Sequence, residues 1–123
     1  MPNEIPFQIT FIDFPESDAI WLAVQERIEK LTHYNDHIIK CEVTISCPHR
    51  HHHADRYYHV NVHIYLPRNE IVISRNPEKD EAQKDIYVAI RNAFDSAERV
   101  LKEKIRMRRN RVRQYIRLHQ PSI

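Results

Sequence analysis

Toward the C-terminal end, Lys102, Arg106, Arg109, Arg113 and Arg117 recur at steps of three and four residues, which on a helix gathers them into one stripe. Residues 99–117 hold nine basic side chains, seven of them arginine, against Glu103 alone. A guanidinium presents a planar fork of donors that grips a phosphate bidentately and stacks on a base. Cations near a helix C-terminus also suit the macrodipole, but that explains two or three of them, not nine. The chemistry is recognition of a polyanion. Residues 1–98 carry ten Lys and Arg against sixteen Asp and Glu, a balance of −6, and 99–117 balances to +8, so the net charge of +2 conceals a strongly polar molecule.

A second constellation is His49-Arg50-His51-His52-His53, followed by His59 and His63. Imidazole ligates zinc, nickel and copper. Here no cysteine lies within the cluster, and Asp55 is the one carboxylate available to orient the rings. The expectation is therefore no metal: either contact with RNA or protein, or a solvated loop. His59, Asn61, His63 and Tyr65 alternate along a strand and share one face. That face is either a platform for unstacked bases or simply wet.

Catalytic patterns are missing. The chain contains no glycine, which excludes a P-loop, a dinucleotide fingerprint and the clamp loop of a KH domain. Neither a nucleophile elbow nor a His-Glu metalloprotease helix is present. The expectation is a non-enzymatic protein with no cofactor and no small-molecule substrate. Cys41 and Cys47, six residues apart on one strand, are too distant for a disulfide and read as reduced, buried side chains.

These groups need a scaffold. Phe7, Ile9 and Phe11 alternate with polar neighbours, so 5–12 reads as a strand that Pro15 ends. Ser17 is a good N-cap, and Ile20, Val24, Ile28 and Leu31 give an amphipathic helix over 17–33. Ile39 to Cys47 and Tyr58 to Leu66 alternate cleanly, as half-buried antiparallel strands do. Pro67-Arg68-Asn69-Glu70 turns the chain into a fourth strand from Ile71, with Asn69 the expected site of positive φ. A last helix begins near 82, stabilised at its start by Asp85. Its apolar stripe is Ile86, Ile90, Ala93, Phe94, Ala97, Leu101 and Ile105, and Val112 and Ile116 carry it toward 117. Such a helix is about 50 Å long and must overhang a four-stranded sheet. Arg91 and Arg99 on it, and Arg27 and Lys30 on the first helix, lie off the apolar positions and extend the positive surface.

The fold class expected is α+β: a β-α-β-β-β-α two-layer sandwich with both helices on one face of a four-stranded sheet. At 123 residues it is a single domain, residues 1–105, with 106–123 a basic helical extension prone to fray. No apolar run spans a bilayer and the first residues lack a signal peptide's pattern, so a cytoplasmic protein without a membrane partner is expected.

Several stretches resemble the ribosome hibernation-promoting factor family, also called ribosome-associated translation inhibitors or protein Y. They are Glu29-Lys30-Leu31 with Tyr34 and Asp36-His37-Ile38, Pro48 to His53, the hairpin Leu66-Pro67 to Glu70-Ile71-Val72-Ile73, and above all Asp85-Ile86-Tyr87-Val88-Ala89-Ile90. Phe94-Asp95, Ala97, Arg99 and Leu101 continue the likeness, which spans about residues 7–105, and the His-rich loop is similar to one branch of short members. A monomer in solution is expected. The resemblance implies binding to rRNA in the mRNA and tRNA channel of the small ribosomal subunit, which the protein blocks sterically. It assigns RNA contact to Arg27, Lys30, Arg91, Arg99 and Lys102; the basic stripe adds Arg106, Arg109 and Arg113. This body is more acidic than in short family members, its positive charge being gathered at the C-terminal end. The competing expectation is a general RNA-binding or RNA-chaperone module not restricted to ribosomes.

Overall fold

The computed structural model describes residues 5–34, 37–47, 57–75 and 84–119. The His-rich stretch 49–53 lies outside them. The elements run β1 (Phe7–Ile12), α1 (Asp18–Leu31), β2 (Lys40–Ser46), β3 (His59–Leu66), β4 (Asn69–Arg75) and α2 (Ile86–Leu118). The expected β-α-β-β-β-α order is the observed one.

The four strands form one sheet in sequential order. β1 and β2 run parallel, Phe7 opposite Cys41, because α1 carries the chain back between them. β2–β3 and β3–β4 are antiparallel. Alternation sends Cys41, Val43, Ile45, Val60, Val62, Ile64 and Ile71 to one face, where they are buried against both helices. Ile20, Val24, Ile28 and Leu31 come down from α1, and Ala89, Ile90, Ala93, Phe94, Ala97 and Leu101 from α2. Each fully buried Ile, Leu or Phe contributes about 1.5–3 kcal/mol by leaving water. Cys41 and Cys47 are free thiols, both buried.

The helix starts follow their caps. Ser17 Oγ accepts the Ile20 amide at 3.4 Å. Asp85 does more than complement a dipole: its Oδ1 accepts the amides of Tyr87 at 2.9 Å and Val88 at 3.4 Å. As the cap residue, Asp85 is extended at φ −103°. The helix therefore begins at Ile86 rather than near 82.

The hairpin differs from expectation. Leu66 pairs directly with Asn69, leaving Pro67 and Arg68 as a two-residue loop. Arg68, not Asn69, takes positive φ, at 66°. Proline's fixed negative φ at the first loop position excludes the primed turns, and the positive φ of Arg68 at the second is that of a type II turn. Asn69 is thereby released into β4, where its Oδ1 accepts the Glu70 amide at 2.9 Å. Asp13, also at φ 66°, turns the chain out of β1.

Buried residues on α2 end at Leu101, Lys104 and Ile105 are half-buried, and every residue from Arg106 to His119 is exposed. Val112 at 50% and Ile116 at 54% exposure show that the apolar stripe outlasts the sheet it covers. The last four turns of α2 are a free-standing rod.

Candidate nucleic-acid interface

The basic face begins at Arg91, over the core, and runs on to the overhang. Arg91, Arg99, Lys102, Arg106, Arg109 and Arg113 are all exposed, as is Lys30 at the end of α1. The exit of α1 lies against this face: the Lys102 ammonium sits 4.5 Å from the centre of the Tyr34 ring. Arg106 folds back on Glu103, its Nε donating to Oε2 at 3.2 Å and its Nη2 to the other oxygen. That bond holds the Glu103 carboxyl below the usual carboxylate range and raises the Arg106 guanidinium. Glu103 thus neutralises one arginine of the stripe. Lys104 points the other way and donates to Asn69 Oδ1 at 3.2 Å, pinning the start of the overhang to the β3–β4 hairpin.

Arg27 behaves differently from its expected neighbours. Its guanidinium donates to Asp95 Oδ1 at 2.6 Å and Glu98 Oε1 at 3.1 Å, and its side chain is only 18% exposed. It joins the two helices, and its charge is already balanced within the fold.

Two shallow grooves flank the stripe. One, lined by Asp95, Glu98, Arg99, Lys102, Glu103 and Arg106, mixes both signs of charge. The other, about 450 Å³, is lined by His33, Tyr34, Lys102, Ile105, Arg106, Arg109, Asn110 and Arg113, with no acid among the described residues. His33 and Tyr34 escaped sequence reasoning because nothing local ties a helix exit to residues about seventy positions later.

A family model described as "Sigma 54 modulation protein / S30EA ribosomal protein" matches residues 7–109, from the first residue of β1 into the overhang. The chain belongs to this family. It is thus a ribosome-associated modulation factor, and ribosome hibernation and translation regulation are the processes the family represents. This S30EA-family chain shares its fold with the crystal structure of the Thermus thermophilus Protein Y N-terminal domain, at 21% identity and a TM-score of 0.63, over 80% of this chain and 98% of that one. No curated protein sequence matches it.

On the far face of the sheet the S30EA-family chain is occupied with itself. His63 and Tyr65 stack at 4.0 Å, His63 Nε2 lies 2.9 Å from Glu70 Oε2, and the Tyr65 hydroxyl donates to Glu42 at 3.3 Å. Lys40 covers the Tyr65 ring at 4.5 Å. Desolvation and then the Glu42 charge raise the Tyr65 hydroxyl above its usual value. Two carboxylates beside this aromatic pair disfavour phosphate, which supports the wet-face alternative over a base platform. Among the described residues no three His, Cys, Asp or Glu side chains converge on a metal-sized site, and no helix is long and apolar enough to cross a membrane.

Proposed function

We propose that this chain is a translation inhibitor that docks its α2 face on rRNA in the mRNA and tRNA channel of the small ribosomal subunit and blocks that channel sterically. The observation that carries the reading is the run of cations Arg91, Arg99, Lys102, Arg109 and Arg113, which form no ion pair among the described residues, along one exposed face of α2, with Lys30 beside it. A rigid helix holds these charges at fixed spacing, so neutralising several phosphates at once costs little ordering entropy. The acidic body then faces away from the RNA and keeps the bound orientation unique. Arg106 joins the contact once phosphate competes with Glu103, whereas Arg27 serves the helix pair. The protein acts as a cytoplasmic monomer without catalysis, since occlusion needs only volume and affinity.

Cosedimentation with purified small subunits over a salt series tests this. Saturable uptake that falls steeply with salt and is lost on Arg99→Glu with Lys102→Glu is expected. Equal affinity for any RNA of the same length would instead identify a general RNA-binding or RNA-chaperone module. Absence of uptake even at low salt would overturn both.

A further inference from the structure

From the basic groove between the exit of α1 and the root of the α2 overhang, we infer that this protein holds one unstacked nucleotide there, its base on Tyr34 and its phosphates on Arg109 and Arg113. The inference rests on the reading of α2 as an RNA-contacting face and specifies what one part of that face recognises. Phosphate contact alone needs no concavity, because a flat row of cations suffices for a duplex backbone. Here the cations line one side of a shallow groove of about 450 Å³, enough room for a nucleotide to lie against its walls.

The walls differ in chemistry. Arg109 and Arg113, one turn apart and exposed, form no ion pair among the described residues and supply the phosphate side. Half-buried Ile105 offers apolar surface at the base of the groove. Asn110 carries both a donor and an acceptor for a base edge. Opposite stands Tyr34, packed against the core on the one side and met by Lys102 on the other. The hydrogen bonds from the His33 amide to Lys30 and from the Tyr34 amide to Leu31, at 3.1 and 3.0 Å, hold this turn in place before any ligand arrives.

The ammonium over Tyr34 is a placeholder for the base. An exposed cation–π contact is weaker than the stacking of a nucleobase on a tyrosine. A nucleotide entering the groove therefore displaces Lys102 from the ring, and the freed ammonium turns to the phosphates a few ångströms away. Both exchanges favour binding. A base-paired nucleotide cannot reach the ring, so the groove selects unpaired RNA or a free nucleotide over duplex.

The full chain is titrated with a short oligoadenylate and with an RNA duplex of equal phosphate count. Tyr34→Leu is expected to weaken the single strand about tenfold and the duplex little. Tyr34→Phe binds as the parent does, and Arg109→Ala weakens both RNAs. Because Tyr34 is half-buried, His33→Ala with Asn110→Ala, both exposed positions, provides a second variant that must show the same preference. Losses equal for strand and duplex, or no loss in either variant, overturn the inference. ATP added as competitor identifies the source: displacement of oligoadenylate means free nucleotides share the groove, and no displacement means it takes RNA nucleotides alone. Uptake of the parent protein on small subunits, measured separately, decides the ribosomal reading whichever way the groove falls.

Discussion

Arg27 of α1 and Asp95 of α2, far apart in the chain, meet Nη2 to Oδ1 at 2.6 Å, and Glu98 completes the clamp at 3.1 Å. The contact bridges the two helices along the edge of the core. It turns a residue that looks like part of an RNA surface into part of the fold.

Arg27→Ala should consequently read out as lost stability. It strands the Glu98 carboxylate, whose side chain is only 11% exposed, without its partner. Loss of about 1–3 kcal/mol is expected, measured by urea unfolding. The salt dependence of RNA binding should stay as in the parent. A reduced salt slope with unchanged stability would return Arg27 to the RNA face.

The stripe of α2 gives a paired test. Leu101, fully buried, should cost about 2–5 kcal/mol when replaced by alanine, while Ile116→Ala, at a position 54% exposed, should stay within about 0.5 kcal/mol. Thermal unfolding of both variants checks it. Comparable losses would mean that the overhang is packed against something in solution.

At the hairpin, Arg68→Gly should raise stability by up to about 1 kcal/mol, because a side chain at φ 66° is disfavoured there and glycine is not. Arg68→Val should lower it. The same glycine at position 69, an extended strand residue, should destabilise. Denaturant midpoints of the three variants rank the positions directly.

Alkaline pH should weaken the fold. Burial, and secondarily the Glu42 charge, pushes the Cys41 thiol from 9.0 up to about 12. Between those values the native state keeps a proton that the unfolded chain has lost, so stability declines as pH rises through the window. The contribution is fully present below about pH 9. Cys41→Val removes this part of the decline, though Tyr65, also raised, leaves a remainder. Unfolding curves across the window for the two proteins separate the terms.

Much of this was readable from residue order. The two periodicities placed all six elements, because an apolar side chain every second residue or every third and fourth residue is satisfied by one backbone each. The cap at Ser17 was visible as a residue type, whereas Asp85 was legible only as a charge suited to the helix start. Arg68 was harder, because the turn type depends on strand register as well as composition: pairing Leu66 with Asn69 leaves only Pro67 and Arg68 in the loop, and of these two only Arg68 can take positive φ. The ion pairs of Arg27 were not legible, because being off the apolar stripe does not mean facing water when another helix lies alongside.

From its sequence alone, this protein was determined to be a two-layer α+β domain with a cationic rod at one end, since local spacing sets which face of each element is apolar and which is charged. Only the tertiary structure decided which cations remain free, that Arg27 is bound to Asp95 and Glu98, and that Tyr34 faces Lys102 across a basic groove. Those are contacts between residues distant in the chain. Their energies depend on separations of a few ångströms that no linear pattern encodes.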